Sequence, residues 1–200
     1  MDYCLICEQY LEQKSSWNIL FGDKSKDIIC KACSNSFHKA DIITESQFIR
    51  SIHCMYHYNE AMKQYIYQYK FLQDVALAQV FVKDFQRALR GKRHIVPIPM
   101  HEQRKRMRTF AHVEQFLQYA KIDYDNILIK QDDIVMGEKS RMERLAMKPL
   151  FKLHEDANVQ KTAYTLVDDI YTTGTTLQQA AKVLLEAGAT SIEAITLIRA

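Results

Sequence analysis

Two adjacent carboxylates followed by a loop of small hydroxyl residues form the most informative segment of the sequence. The segment Leu166–Thr176 reads LVDDIYTTGTT, in which an apolar run ends in Asp168 and Asp169 and a Thr/Gly-rich loop follows. Adjacent carboxylates repel one another, so the pair indicates a binding partner. Because both groups are hydrogen-bond acceptors, they suit the two hydroxyls of a ribose.

The loop after the acids suits a phosphate group. A helix is predicted to begin at Thr175, and the unpaired N–H groups and dipole of a helix N-terminus attract anions. Gly174 lets the backbone approach a phosphate closely and tolerates a positive φ. Hydroxyl donors are available from Thr172, Thr173, Thr175 and Thr176. The alternative is a capped helix after a buried strand, but the acid pair favours a site for a ribose phosphate.

Four of the five cysteines stand in two CxxC pairs near the N-terminus, Cys4/Cys7 and Cys30/Cys33. Four thiolates at this spacing suit a tetrahedral structural Zn²⁺ ion. A redox dithiol or an iron–sulfur cluster is the alternative. Residues 1–40 lack a sustained apolar pattern, so a metal would replace the missing core and its removal would unfold the element.

Basic residues are concentrated in one stretch of a chain whose net charge is only +3. Seven Lys or Arg residues and a single acid lie between Arg90 and Arg108. Such a stretch indicates an anionic partner, either a phosphate group or a nucleic acid, although a solvated helix face is the alternative. The candidates for contact with pyrophosphate or nucleic acid are Arg104, Lys105, Arg106 and Arg108.

The elements that position these residues alternate between strands and helices from about residue 51. This alternation predicts an α/β fold, a parallel sheet flanked by helices. The predicted strands are Ser51–Tyr58, His94–Ile98, Tyr124–Ile129, Ala163–Val167 and Ser191–Ile198. The predicted helices are one capped by Asn59, then Asp74–Leu89, Glu102–Ala120 and Thr175–Ala187.

The composition agrees with a globular chain, with 48% hydrophobic and 26% charged residues. No apolar run approaches the roughly 20 residues of a membrane helix, so no membrane span is predicted. The N-terminus shows neither a basic region nor an apolar core of a secretory signal. We therefore expect a cytoplasmic protein.

Three segments carry a resemblance to known families. LVDDIYTTGTT resembles the phosphoribosyl pyrophosphate motif of type I phosphoribosyltransferases. VPIPMHEQRKRMRTFAHVEQF, from Val96 to Phe116, and the run Ser140–Arg144 resemble segments of the competence protein F (ComF/ComFC) family. Together with the four cysteines and Tyr58…Lys70-Phe71, the resemblance covers nearly the whole chain. The sequence departs from that family at Thr109, Ala111 and His112, where Gly, Asn and Gln are usual, and at Met147.

The resemblance implies a type I phosphoribosyltransferase fold with a small zinc-binding element at residues 1–40. Residues 41–200 would form the transferase-like domain, with an N-terminal part or hood at 41–90 and a core at 91–200. Asp168 and Asp169 would contact the ribose hydroxyls, and 172–176 the 5-phosphate. Mg²⁺ would enter with phosphoribosyl pyrophosphate, and Arg141 and Arg144, in a loop that closes over the substrate, would neutralise pyrophosphate charge.

Two classes of function follow from this resemblance. The family implies a role in DNA uptake during natural transformation, with single-stranded DNA, a competence translocase or helicase and a recombination loader as partners. Through them the protein would lie peripherally at the inner face of the membrane. The alternative is an active phosphoribosyltransferase acting on a nitrogen acceptor, and a nucleotide-sensing regulator is a third possibility.

Overall fold

The structure, a computed structural model, describes residues 3–11, 27–101, 106–107, 109–131 and 150–200. Its strands are β1 Lys39–Ser46, β2 Ile49–His57, β3 Ile95–Pro97, β4 Leu128–Lys130, β5 Phe151–Leu153, β6 Ala163–Tyr171 and β7 Ser191–Arg199. Its α-helices are α1 Lys31–Ser36, α2 Glu60–Phe71, α3 Val82–Ala88, α4 His112–Tyr119 and α5 Thr175–Glu186. A 3₁₀ helix, Val75–Phe81, precedes α3.

Five strands form a mixed sheet in the order β1-β2-β7-β6-β3. The pairs β2–β7, β7–β6 and β6–β3 are parallel, whereas the edge strand β1 is antiparallel to β2. The carboxyl ends of four strands therefore meet at one edge, where α/β folds bind ligands. The predicted α/β class with a mainly parallel sheet flanked by helices is confirmed.

Two apolar cores cover the two faces of this sheet. Residues of α2, the 3₁₀ helix, α3 and α4 pack against one face, where Val167 and Leu197 are fully buried. Residues of α5 and of the β4–β5 pair pack against the other face with Leu166 and Val96. The consecutive residues Leu166 and Val167 of β6 thus enter different cores, as the period of a strand requires.

Several predicted elements agree with the structure. The predicted strands at the positions of β2, β3, β6 and β7 are present, although β6 extends beyond Val167 to Tyr171. The Asn59 side chain caps α2 by accepting a hydrogen bond from the Met62 N–H at 2.9 Å. It also donates to the Ser36 carbonyl at 2.8 Å, which ties the end of α1 to the start of α2.

Three predictions were wrong in part. The predicted helix Glu102–Ala120 is not continuous, because Thr109 has φ +63° and Ala111 is extended before α4 begins. The predicted helix Asp74–Leu89 is a 3₁₀ helix followed by α3. Of the predicted strand Tyr124–Ile129 only the end is a strand; β4 pairs antiparallel with β5, outside the main sheet.

No helix among the described residues combines the length and the apolar character needed to cross a bilayer.

Candidate functional site

The candidate site is built where β6 passes into α5 at the carboxyl edge of the sheet. Leu166 and Val167 are fully buried, and Asp168 and Asp169 follow them near the end of the strand. Gly174 has φ +78° and is the N-cap residue of α5. A Cβ atom at this position would lie 2.8 Å from Cε2 of Tyr171. The turn therefore requires glycine both for its backbone conformation and for its contact with the tyrosine ring.

The threonines of the loop present hydroxyl groups at the start of α5. Thr172, Thr173 and Thr175 are exposed, and Thr176 is half-buried. The hydroxyls of Thr173 and Thr175 are 2.9 Å apart. The N-cap residue of α5 is Gly174, which has no side chain to cap the helix. The N–H of Thr175 makes only a long hydrogen bond, of 3.5 Å, to the Thr173 hydroxyl. The loop can therefore donate backbone and hydroxyl hydrogen bonds to an anion.

Arg199, at the end of β7, contacts the backbone and the tyrosine ring at the start of the loop. Its Nη1 donates to the carbonyl oxygen of Thr172 at 2.7 Å, and its guanidinium lies 4.6 Å from the centroid of the Tyr171 ring. Tyr171 in turn packs against Gly174. This stack fixes the path of the backbone between the acids and the helix. Sequence reasoning missed Arg199, because only the register that pairs it with Tyr171 reveals the contact.

The acid pair is contacted by a lysine from a distant part of the chain. Lys70, in the last turn of α2, forms a salt bridge with Asp169, and both side chains are largely buried, with exposed fractions of 12% and 15%. The Asp168 carboxylate accepts a hydrogen bond from the Asp169 N–H at 2.8 Å. The sequence resemblance included Lys70 but assigned it no role. Its contact with Asp169 shows that α2 forms one wall of the site.

The two acids differ in their surroundings. Burial and the charge of Asp169 raise the pKa of Asp168 to about 8, although the Asp169 N–H and the charges of Lys70 and Lys130 oppose the shift. Lys130 belongs to β4, so cations approach the pair from α2 and from the β4–β5 side. Such a site combines acceptors for hydroxyls, donors for a phosphate and cations for further negative charge.

The described basic residues of the stretch between Arg90 and Arg108 lie before and after β3. Arg90, Lys92 and Arg93 precede β3, and Lys92 pairs with Glu193 near the start of β7, at the amino edge of the sheet. Arg106 is exposed and lies after β3. The other predicted basic site residues, namely Arg104, Lys105, Arg108, Arg141 and Arg144, lie outside the described residues.

The four N-terminal cysteines come together in space. Cys4, Cys7, Cys30 and Cys33 have all their Sγ atoms within 4.8 Å of one another. A tetrahedral metal ion with metal–sulfur bonds of about 2.3 Å places its sulfurs about 3.8 Å apart. The Cys7 and Cys30 Sγ atoms lie 3.8 Å apart. The cluster could therefore hold a tetrahedral metal ion.

Backbone N–H groups donate hydrogen bonds to sulfurs of this cluster, which favours the thiolate form. Cys30 caps α1 by accepting a hydrogen bond from the Cys33 N–H, and its own N–H donates to Cys4 Sγ at 3.3 Å. Although burial raises it, the pKa of Cys4 is lowered to about 6 by N–H donors of Cys30, Cys7 and Ile6. Burial and the neighbouring sulfurs raise the pKa of Cys33, so a cation is needed to hold all four as thiolates.

Comparison with curated proteins identifies two relatives of nearly the same length. The competence protein ComFC of Streptococcus pneumoniae (strain ATCC BAA-255 / R6) is 28% identical over 98% of this chain and 99% of its own. The competence protein ComFC of Bacillus subtilis (strain 168) is 27% identical over 98% of this chain and 94% of its own. The predicted resemblance to the competence protein F family is confirmed.

Other comparisons add little. A solved structure described as "Structure of the allosteric regulatory enzyme of purine biosynthesis" is 17% identical with a TM-score of 0.41. The match covers 60% of this chain and 25% of that one, and so weak a likeness does not define the fold. No family model matches the sequence.

Proposed function

We propose that this chain, which is similar along nearly its whole length to two competence proteins ComFC, binds phosphoribosyl pyrophosphate or a related ribose phosphate and acts in DNA uptake during natural transformation. One observation supports this ligand: an acid pair and a helix N-terminus with glycine as its N-cap residue meet at the carboxyl edge of the parallel strands. The acids accept hydrogen bonds from ribose hydroxyls, and residues 172–176 hold the 5-phosphate.

The surrounding cations suit the rest of such a ligand. Lys70 compensates the charge of Asp169, which leaves the acid pair compatible with a polyanion. Lys130 approaches the same pair from the other side. The pyrophosphate would arrive with Mg²⁺, which neutralises its charge and is bound mainly by the ligand's own oxygens. Arg106 is the described member of the basic set proposed to meet pyrophosphate or nucleic acid.

We assign the metal at the four-cysteine cluster as structural Zn²⁺. The donor set of four sulfurs fits this ion. Its place in the fold supports a structural role, because Leu5, Ile6 and Ile29 of the same element pack against the main core. The ion would hold together a segment that has little apolar surface of its own.

In transformation the protein would act on incoming single-stranded DNA together with a translocase or helicase and a recombination loader, at the inner face of the membrane. Support comes from the two relatives, which are both called competence proteins. Complementation checks this role. Expression in Bacillus subtilis lacking its ComFC should restore transformation, and expression of Asp168→Asn/Asp169→Asn should not.

Calorimetric titration with phosphoribosyl pyrophosphate and Mg²⁺ tests the ligand. The wild-type chain should bind with measurable heat, and the double variant Asp168→Asn/Asp169→Asn should bind at least tenfold more weakly. Asp156→Asn is the matched control, because that side chain is 93% exposed in the segment before β6. Absence of heat from the wild type, or equal affinities of wild type and double variant, contradicts the assignment.

The second candidate is an active phosphoribosyltransferase with a nitrogen acceptor. The raised pKa of Asp168 favours it, since perturbed carboxyl groups concentrate at catalytic sites. Transfer would break the C1–pyrophosphate bond and form a C1–nitrogen bond, with the acceptor's proton released. Acceptor-dependent release of pyrophosphate that disappears in Asp168→Asn would support catalysis. Tight binding without turnover across ammonia, nucleobases and amines would favour a binding protein.

A further inference from the structure

Exposed apolar side chains cluster at the C-terminal end of α2. Tyr67 and Phe71 are 55% and 59% exposed, and their rings stack with centroids 5.7 Å apart and planes at 24°. Leu72 and Met107 are 61% and 75% exposed. We call these four residues the aromatic platform. The opposite face of α2 is buried in the core, so the platform faces away from it.

The basic segment is anchored beside this platform. Gln73, two residues after Phe71, donates to the Met107 carbonyl at 3.3 Å and accepts a hydrogen bond from the Thr109 hydroxyl at 3.2 Å. These contacts hold the exposed Arg106 next to the end of α2. In the sequence, three further cations lie within two residues of Arg106. Among the described residues, the stacked rings and Arg106 are therefore both close to the C-terminal end of α2.

The same end of α2 also reaches the candidate site. Lys70, adjacent to Phe71 in the helix, contacts Asp169. A ligand that spans the end of α2 would meet the exposed rings, Arg106 and groups suited to ribose and phosphate. Single-stranded nucleic acid presents unpaired bases, riboses and phosphates in repeated order, and its bases stack on aromatic side chains while its phosphates pair with Arg and Lys.

On the basis of the proposed function, we propose that the aromatic platform and Arg106 bind single-stranded nucleic acid. Bases stack on the exposed faces of Tyr67 and Phe71, and the phosphates between them pair with Arg106. Duplex DNA binds weakly here, because its bases are already stacked and paired. The other half of the basic stretch, at the amino edge of the sheet, does not contribute.

Fluorescence anisotropy of a labelled oligothymidylate with the zinc-loaded full chain tests the platform. Base stacking on aromatic residues is worth enough that Tyr67→Ala/Phe71→Ala should weaken binding by about tenfold or more. Tyr67→Phe/Phe71→Tyr keeps both rings and should retain wild-type affinity. The control is Tyr3→Ala/Tyr10→Ala, which removes a second exposed pair with ring centroids 5.7 Å apart on the cysteine element. It should change affinity less than twofold.

A salt series separates the contribution of the cation from that of the rings. Each phosphate contact on a single strand adds about 0.7 to the slope of log affinity against log salt. Arg106→Ala should lower the slope by about that amount, whereas Tyr67→Ala/Phe71→Ala should leave it unchanged. Arg90→Ala, on the exposed half of the stretch before β3, should leave both the slope and the affinity unchanged.

Four results would overturn the proposal: no single-strand binding by the wild type at low salt, equal affinity for a duplex, retention of affinity by Tyr67→Ala/Phe71→Ala, or loss of affinity in the Tyr3/Tyr10 control instead. Circular dichroism and melting of each variant establish that it is folded. If oligonucleotide binding depends on the platform but phosphoribosyl pyrophosphate gives no heat, the ribose phosphate proposal is wrong and the nucleic-acid surface is supported. If the ligand binds and the platform variant retains the oligonucleotide, only the surface fails.

Discussion

The four-cysteine element and the β6–α5 site are held in place by different physical means. At the cysteine element the polar groups that matter are sulfurs brought together by backbone hydrogen bonds, and the partly buried Leu5, Ile6 and Ile29 supply a small apolar contact. At the β6–α5 site, buried residues of β6 and β7 position the acids and the loop. Under the proposed zinc assignment, the first region depends on a bound ion for its shape, whereas buried strand residues give the second region its shape.

The two sites would therefore have opposite effects on the free energy of unfolding. A structural metal ion adds its binding free energy to folding, so the proposed zinc ion would stabilise the cysteine element. The acid pair lowers stability when both groups are charged, because Asp168 lies in surroundings that disfavour its charged form. The following predictions separate the two cases, beginning with the largest expected effect.

Metal removal should affect the cysteine element most. Structural zinc contributes on the order of 10 kcal/mol to folding in small cysteine elements, so chelation should expose the backbone of Cys4 and Cys30 to hydrogen exchange. One metal ion per chain should be lost in Cys30→Ser and retained in Cys54→Ser, since Cys54 is buried in the main core. Calorimetry should show that ribose phosphate affinity changes less than twofold on chelation. A loss of that affinity would mean that the two regions are coupled.

Replacement of Lys70 should have the next largest effect. Lys70→Met leaves the largely buried Asp169 without its partner and should lower the free energy of unfolding by about 2 kcal/mol in urea denaturation. Lys70→Arg keeps the charge and should recover most of it. Lys63→Met, on the same helix, removes an exposed partner of Glu60 and should cost less than about 0.5 kcal/mol. Equal effects of Lys70→Met and Lys63→Met would show that the buried pair adds nothing.

Replacement of Gly174 by alanine should cost more stability than the same change at Gly91, a glycine with a similar φ. Gly174→Ala adds a Cβ against Tyr171 at φ +78°, and the expected loss of stability is about 2 kcal/mol. Gly91→Ala provides the control, because Gly91 has φ +74° but nothing within 4 Å of the added atom. It should lose about 1 kcal/mol in the same urea denaturation. If both variants lose equally, the contact with Tyr171 does not restrain the loop.

The sequence predicted those parts of the fold that depend on local pattern. The buried face of α2 and the apolar runs of β6 and β7 follow the periods of helix and strand, which is why their positions are confirmed. The helix around Thr109 was wrong because tertiary contacts set its φ to +63°: the Thr109 hydroxyl donates to Gln73, a residue 36 positions earlier. Propensity within a window cannot represent such a contact.

The same distinction applies to the site. Asp168, Asp169 and Gly174 were predicted as site residues because they lie within one short motif of the sequence. Lys70 and Arg199 were not assigned, because their contacts join β6 to α2 and to β7 and depend on packing and register. A cation one residue after the buried Tyr69 was the available signal for Lys70, but it names no partner.

The last prediction concerns the pH dependence of stability. The pKa of Asp168 is raised to about 8, from about 3.9 in an unfolded chain. Between these values the folded state binds a proton that the unfolded state lacks. The free energy of unfolding should therefore fall as pH rises, by at most about 1.4 kcal/mol per pH unit. This contribution is complete below about pH 4 and lost above about pH 8.

Asp168→Asn should flatten that dependence, because asparagine can still accept the hydrogen bond from the Asp169 N–H but does not titrate. Urea denaturation between pH 5 and pH 8 should show the variant gaining stability over the wild type as pH rises, while calorimetry shows weaker ribose phosphate binding. Asp156→Asn, at an exposed position, should keep the wild-type slope. If Asp168→Asn keeps the wild-type dependence of stability on pH, titration of Asp168 does not lower the free energy of unfolding. A steeper fall in the stability of Asp168→Asn with pH would mean that the Asp168 carboxylate stabilises the fold, as is proposed for the metal ion in the cysteine element.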